Sequence, residues 1–437
     1  MRRTSTRSRT WALRILGTSR SVSMTTTLAL LVLALSVPTP SPSLASASAD
    51  ALREKIRTLE ARAQEAPAEA KAWKALVVAW RGLARLSGDP ACDDEAWKAL
   101  SAALRAEPDD YEALALKGWV QAARHDFEGA VVSARAAMAL RPGDAWNHGV
   151  LADALTELGR YDEAVAAVER MMRLRPGVGA YSRAAHLRAV HGDREGAIEL
   201  MQMAVEASGP SDPEGLAWCR VMLGLELQGR GDHAAAREQY SRALEVAPGY
   251  HLALFHLAES QAATGELAAA IETLERLDSP QASASVAAAL GDLHAAAGRP
   301  EVAARFYRRV DAVAALRDPS RAEPRWLARF YADQGRNLDE ATLLVRAELK
   351  THQDVETWDG LAWVLYRAGR YDEARAASDH ALAPGIVDAR LLYHRGLIEA
   401  ALAQRGPARA SLEKALALRS LWPQERTRAE AALEAVR

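Results

Sequence analysis

The chain has few of the residues that build cross-linked or sheet-rich folds. Only two of its 437 residues are cysteines, Cys92 and Cys219, which is too few for a disulfide framework and indicates no structural zinc site. Aromatic residues make up 6% of the chain, and no stretch alternates β-branched with polar residues. The composition instead favours closely packed helices, because small residues are abundant.

Long hydrophobic runs are also missing, which argues against a membrane-spanning segment in the mature chain. The run Leu28–Val37 has 10 residues, whereas a helical span needs roughly 18 or more. It follows six arginines and precedes a Pro/Ser/Ala-rich stretch with A-x-A sites at 45–47 and 47–49. This order is typical of an export signal. We therefore predict a signal peptide and linker over residues 1–49 and a periplasmic or extracellular protein; the alternative is an uncleaved, poorly anchored tail.

Acidic residues are absent from residues 1–49, so all of them lie in the body of the protein. Without the six arginines of this segment, 49 basic residues face 57 acidic ones, a net charge of −8. Nucleic-acid surfaces need clustered Lys and Arg. The charge therefore predicts that the chain does not bind nucleic acid.

The hexapeptide GRYDEA occurs twice, at Gly159–Ala164 and Gly369–Ala374. Alignment on its final alanine reveals ten anchor positions, spaced by 33 or 34 residues except for two gaps of 39 and 38. The anchors are Ala96, Ala130, Ala164, Ala197, Ala236, Ala270, Ala303, Ala341, Ala374 and Ala408. Variants such as HDFEGA and TGELAAA keep the position and change the polar groups. GRYDEA is thus interpreted as a repeated structural turn, not as a duplicated catalytic site.

Other positions recur with the anchors. A small residue lies twelve positions before most of them, and a proline lies twelve positions after four of them. Each unit is therefore predicted to be a helix, a short turn and a second helix ended by proline. The turn aromatics Phe127, Tyr161 and Tyr371 should pack across the pair, and Asp109 and Asp144 should cap the following helices. Such hairpins bury their apolar faces only by stacking.

A 34-residue unit with this pattern of small residues, aromatic and proline resembles the tetratricopeptide repeat (TPR), here of a bacterial exported type. The resemblance covers about residues 69–421, although the units anchored at Ala270, Ala303 and Ala341 lack the closing proline. It implies an all-α fold, a right-handed superhelical solenoid of about ten TPR helix hairpins whose first helices line a concave groove. Residues 50–68 are predicted to be a lead helix and 422–437 a C-terminal capping helix.

No pattern in the sequence predicts catalysis. The chain lacks G-x-G-x-x-G after a strand, a P-loop, H-E-x-x-H and G-x-S-x-G. His256 and Glu259 share a helical face and are either half of a metal site or a polar pair facing the groove. We predict a protein that is not an enzyme and has no catalytic, cofactor-binding or metal-binding residues.

In this repeat class, positions 2, 5, 9, 12 and 13 of each first helix usually face the groove. The resemblance therefore implies a partner-binding groove formed by Trp119, Trp146, Asp153, Glu157, Trp218, Phe255, Glu259, Asp292, Trp363, Tyr366, Arg367, Tyr393 and His394. Tryptophan and tyrosine are favoured binding anchors; the competing interpretation is that several are buried between repeats.

The expected function is that of a non-catalytic scaffold for protein–protein interaction. It would bind a peptide or helix of another protein, with apolar and basic segments, in the groove. The alternative is a structural or regulatory subunit of an envelope assembly or enzyme complex that binds through its convex face or ends. The oligomeric state does not follow from the sequence.

Overall fold

The computed structural model describes residues 42–87, 89, 91–209, 212–278, 284–316 and 323–437. These residues form 22 helices and contain no strand. The first, α1 (Pro42–Glu65), begins inside the predicted linker and continues through most of the predicted lead helix. The rest of the predicted export signal lies outside the described residues and stays a prediction.

Ten helix hairpins follow α1, which confirms the predicted all-α solenoid. Hairpins 1 to 5 pair α2 (Ala70–Ser87) with α3 (Ala91–Ala106), α4 (Tyr111–Ala123) with α5 (Phe127–Leu140), α6 (Ala145–Glu157) with α7 (Tyr161–Leu174), α8 (Val178–Val190) with α9 (Arg194–Ala207), and α10 (Pro213–Gly229) with α11 (His233–Val246). Hairpins 6 to 10 pair α12 (His251–Ala263) with α13 (Leu267–Glu275), α14 (Ala284–Ala296) with α15 (Pro300–Ala315), α16 (Pro324–Gln334) with α17 (Leu338–Glu348), α18 (Val355–Arg367) with α19 (Tyr371–Leu382), and α20 (Ala389–Ala401) with α21 (Arg405–Ala417). The chain then forms α22 (Pro423–Ala435).

The recurring small residues allow the two helices of a hairpin to approach closely. A Cβ atom on Gly224 would lie 2.3 Å from the ring of Tyr240, and one on Gly291 would lie 2.4 Å from the ring of Tyr307. The anchor alanines, including Ala164, are fully buried on the second helices. Close packing of this kind tolerates no added methyl group, which explains the spacing of small residues in the sequence.

Aspartates begin many of the helices. The carboxylate of Asp144 accepts a hydrogen bond from the backbone N–H of Trp146 (2.9 Å), as predicted. The prediction for Asp109 is wrong by one residue, because α4 begins at Tyr111 and its capping carboxylate belongs to Asp110. Such a cap contributes about 1 kcal/mol to helix stability.

The turn aromatics do not share one environment. Phe127 is buried and Tyr161 is half-buried, whereas Tyr371 is exposed to 38%. The ring of Tyr371 still packs across its hairpin, with its centroid 5.8 Å from that of Tyr366 on the first helix. The two copies of GRYDEA therefore have the same local fold and different surroundings. The difference arises because distant hairpins cover the first copy and leave the second uncovered.

The solenoid winds so that two of its coils lie against each other. We call hairpins 2 to 5 the first coil, and hairpins 8 to 10 with α22 the second coil. The backbone N–H of Gln353, in the loop that links hairpins 8 and 9, donates to the carbonyl of Glu157 in hairpin 3 (2.6 Å). In hairpin 5, Nε2 of His233 lies 2.9 Å from the carbonyl oxygen of Arg419. Hairpin turns of the first coil thus contact linking loops of the second.

Ionisable groups meet between the coils. Nδ1 of His125 lies 2.8 Å from Nε2 of His352, whose Nδ1 is 2.9 Å from the carboxylate of Glu348. Burial and the neighbouring His352 lower the pKa of His125. Burial, together with the charge of Asp354, raises the pKa of Glu157 to about 9. Glu157, predicted to face a partner, is therefore part of the contact between the coils.

Candidate partner-binding site

A cavity of about 440 Å³ lies among the first helices of hairpins 6 to 10 and the C-terminal helix. We call it the ring cavity. Its lining includes one or more side chains from α12, α14, α16, α18 and α20 and from the start of α22; representative residues are Phe255, Asp292, Trp326, Arg367, Arg390 and Trp422. Around this cavity, the first helices that were predicted to line a concave face are arranged as a ring.

Helix α22 closes the ring because it contacts both ends of this series of hairpins. Glu425 pairs with Arg390 of α20 (2.8 Å), and the side-chain amide of Gln424 donates to the carbonyl of Asp292 on α14 (2.6 Å). Arg426 donates to the carbonyl of Ala263 at the end of α12. The segment predicted as a polar cap therefore also forms part of the cavity wall.

Aromatic rings from three parts of the chain line the ring cavity. Trp326 and Phe330, one helical turn apart on α16, stack with centroids 5.7 Å apart. Phe255 and Trp422 line the cavity and pack against the apolar cluster of α12 to α14. Flat apolar surfaces of this kind bind apolar or aromatic side chains.

Two carboxyl groups in the ring cavity have shifted pKa values of opposite sign. Burial raises the pKa of Asp292 to about 7, although the hydroxyl of Tyr307 donates a hydrogen bond to it (2.7 Å). Burial also opposes ionisation of Glu259, but its 2.7 Å contact with His256 lowers its pKa overall. Of these two groups, Glu259 therefore stays charged at neutral pH, whereas Asp292 is only partly ionised.

Arginines bring positive charge to the same cavity. Arg329 approaches the carboxylate of Asp333 only to 3.9 Å, and Asp333 also accepts a hydrogen bond from the indole of Trp363. One guanidinium nitrogen of Arg367 donates to the backbone carbonyl of Asp333 (3.1 Å). These two guanidinium groups keep donors that can bind a ligand in the cavity.

The structure brings four of the predicted groove residues into the ring cavity, namely Phe255, Glu259, Asp292 and Arg367. Four others are buried in the packing between hairpins, so the prediction that they face a partner is wrong: Trp119, Trp363, Tyr393 and His394. Trp363 illustrates the reason, because it stacks on His394 at a centroid distance of 4.2 Å. First-helix positions of adjacent hairpins thus pack on each other where both side chains are large.

The remaining predicted residues lie elsewhere. Asp153 forms a two-pronged ion pair with Arg183 of the next hairpin, at 2.6 and 2.7 Å. Trp146 and Trp218 are half-buried against the core of the first coil. Tyr366 stacks on Trp363 at 5.3 Å. None of these residues lines the ring cavity.

Sequence reasoning missed the residues that α16 contributes, above all Trp326, Arg329 and Phe330. The positive-φ glycine of the turn after α16, Gly335, lies six positions before its anchor, whereas the corresponding glycine in most hairpins lies five positions before. Counting back from Ala341 therefore shifts the groove positions of α16 by one. The arginine found where most units have a small residue, Arg329, was the visible signal of this shift.

Family models match three stretches of the chain, residues 121–190, 221–285 and 357–379, and each is described as a tetratricopeptide repeat. The chain is a tetratricopeptide repeat protein. Repeats of this family are typically non-catalytic interaction modules, so the TPR solenoid described above is a scaffold for protein–protein interaction. No curated protein sequence matches the chain.

Several solved structures are similar to parts of this TPR protein. A thermophilic TPR protein from Thermus thermophilus is 21% identical, over 44% of this chain and 98% of its own, with a TM-score of 0.39. PilW, a type IV pilus biogenesis factor, is 16% identical over 47% and 93%, with a TM-score of 0.41. Pseudomonas aeruginosa PilF is 16% identical over 46% and 90%, with a TM-score of 0.40.

Two properties of the described residues bear on the site. No helix among them is long and apolar enough to cross a bilayer. Within the same residues, no group of three or more His, Cys, Asp or Glu side chains is arranged to hold a metal ion. His256 and Glu259 are a hydrogen-bonded pair that faces the ring cavity through Glu259.

Proposed function

We propose that this TPR protein holds a segment of a partner protein in the ring cavity. The observation that carries the proposal is the convergence of Phe255, Trp326, Phe330 and Trp422 with arginines that keep unused donors, in one cavity of about 440 Å³. Aromatic side chains and arginines are the residues that contribute most to binding at protein interfaces. The aromatic rings would receive apolar side chains of the partner, and the guanidinium groups its carbonyl or carboxylate oxygens.

The size of the ring cavity favours an extended segment over a helix. An α-helix with its side chains is about 10–12 Å across. A cavity of about 440 Å³ lies in the range of small-ligand pockets, which hold a few residues of an extended chain. We therefore narrow the expected ligand from a peptide or helix to a short extended segment.

The charges of the ring cavity do not select a basic partner. The lining contains four arginines and four acidic residues, Arg329, Arg367, Arg390, Arg428, Glu259, Asp292, Asp333 and Glu425. One of the acids, Asp292, has a pKa near 7 and is only partly ionised at neutral pH. The expectation of a basic partner is therefore replaced by one of an apolar segment with polar backbone contacts.

Site-specific photo-crosslinking tests the proposal. A photoreactive phenylalanine replaces Trp326 in one variant and Leu343 in another; Leu343 is exposed to 71% on the second helix α17. In cells that make the protein, we expect a discrete crosslinked partner from position 326 and none from position 343. The added substitution Phe330→Ala should abolish the crosslink, because it removes the stacked wall of the cavity.

The alternative function, a subunit that binds through its convex face, predicts the opposite pattern. Exposed apolar side chains on second helices, Val132 at 67% and Leu343 at 71%, are the observation that favours it. A crosslinked partner at position 343, unaffected by Phe330→Ala, would support this alternative and contradict binding in the ring cavity.

A further inference from the structure

The contact between the two coils repeatedly uses one structural position, the first residue of the second helix in hairpins 2 to 5. These residues are Phe127, Tyr161, Arg194 and His233. Each contacts the linking-loop region of a hairpin in the second coil: the partners are the ring of His352, the N–H of Val355, the carbonyl of Val387 and the carbonyl of Arg419. A regular spacing of hairpins therefore produces a regular edge-to-edge contact.

The same position in hairpins 9 and 10 has the same residues, but no loop covers it within the part of the chain that the structure describes. Tyr371 and Arg405 repeat the order of Tyr161 and Arg194 six hairpins later. Tyr371 and Arg405 are both exposed, and a Cβ atom on Gly369 would meet no atom within 4 Å. We call Gly369, Tyr371 and Arg405 the head edge.

The linking loops of the first coil offer the complementary half of such a contact. Between the coils, the loop with Pro384 and Gly385 packs so tightly on hairpin 4 that a Cβ on Gly192 would lie 2.5 Å from the carbonyl oxygen of Gly385. The loops at 141–144 and 175–177 contain the same Pro-Gly pair. A Cβ on the glycine of either loop would meet no atom within 4 Å.

These loops lie on the free side of the first coil. Hairpin turns and linking loops are at opposite ends of the helices, and the turns of hairpins 2 to 5 are the ones that face the second coil. We call Pro142, Gly143 and Pro176 the tail edge. The molecule therefore exposes the two halves of its own inter-coil contact at opposite ends of the stack.

We propose that a second copy of this chain stacks its tail edge on the head edge. The hydroxyl of Tyr371 and the guanidinium of Arg405 would meet backbone groups of the Pro-Gly loops, as Tyr161 and Arg194 meet Val355 and Val387 within one molecule. The two surfaces differ, so the contact is heterologous and does not close on itself. Repetition extends the stack into short linear assemblies.

Analytical ultracentrifugation of the full-length protein tests the proposal. Wild type should form dimers and longer assemblies as its concentration rises. The head-edge variant Tyr371→Glu/Arg405→Glu and the tail-edge variant Gly143→Trp should each stay monomeric at concentrations where wild type assembles. The matched control Arg242→Glu changes an exposed charge on α11 away from both edges and should assemble like wild type.

Mixing the two edge variants provides the decisive measurement. Each variant retains one intact edge, so an equimolar mixture should form dimers and no larger species. Circular dichroism should show that both variants keep their helices. A monomeric wild type over the whole concentration series, assembly that survives both variants, or a mixture that stays monomeric would each overturn the proposal.

Discussion

The carboxyl group of Asp292 shows how the ring cavity controls a single residue. An aspartate in an unfolded chain ionises near pH 4, whereas burial raises the pKa of Asp292 to about 7. Between these values the folded protein retains a proton that the unfolded chain has lost. The free energy of unfolding therefore falls as pH rises from about 4 to 7 and stays lower above that range.

The substitution Asp292→Asn should remove this dependence, because its amide oxygen still accepts the hydrogen bond from Tyr307 but cannot ionise. At about pH 8 we expect the variant to be more stable than wild type by up to a few kcal/mol. Each pH unit by which folding raises the pKa of a group corresponds to about 1.4 kcal/mol of unfolding free energy. Urea denaturation of both proteins at several pH values measures the difference. Glu157 also has a raised pKa but is common to both proteins. If the difference in unfolding free energy between the two proteins stayed constant with pH, the raised pKa of Asp292 would be contradicted.

At the scale of the helices, the sequence predicted the elements correctly where the pattern of residues lies within one hairpin. The anchor alanines and small residues lie within one hairpin, so their spacing located all ten helix pairs. The groove positions of α16 were missed because its turn glycine, Gly335, lies one position farther from the anchor alanine than in most hairpins. The burial of Trp363 could not be predicted either, since it depends on His394 of the next hairpin.

The closing role of α22 leads to a prediction about an ion pair. Arg390 and Glu425 lie 2.8 Å apart with about a quarter or less of each side chain exposed. Removing one partner takes this hydrogen bond from the other charged group, which costs about 1–3 kcal/mol. Arg390→Met should therefore destabilise the protein by about this amount, and addition of Glu425→Gln should recover much of the loss.

A matched surface pair serves as the control. Arg409 and Glu413 on α21 are also 2.8 Å apart, but about half of each side chain is exposed. Arg409→Met should have little effect, because exposed pairs contribute little to stability. Urea unfolding of the single and double variants measures all of these values. Strictly additive effects of Arg390→Met and Glu425→Gln would show that the pair does not hold α22 in the ring.

At the scale of the whole molecule, the contact between the coils is what the sequence did not reveal. Gln353 and Glu157 are far apart in sequence, and their approach depends on small rotations that add up over six hairpins. No local sequence pattern determines this accumulated rotation. The two identical hexapeptides consequently looked equivalent, although only the first copy lies between the coils.

Gly159 and Gly369 occupy the same place in the two hexapeptides and give a matched test of this contact. Both have positive φ, 66° and 76°, so alanine costs each about 1–2 kcal/mol of backbone strain. Only at Gly159 would the new Cβ also lie 2.5 Å from the carbonyl oxygen of Gln353. Gly159→Ala should therefore separate the coils, whereas Gly369→Ala should not.

Small-angle X-ray scattering, extrapolated to low concentration so that self-association does not contribute, distinguishes these outcomes. We expect a larger radius of gyration for Gly159→Ala and an unchanged one for Gly369→Ala. Circular dichroism should report the same helix content in both, because each hairpin is held mainly by its neighbours in the solenoid. Equal scattering curves for the two variants would mean that the coils do not rest on each other at Gly159. The first hexapeptide would then be, like the second, only a turn.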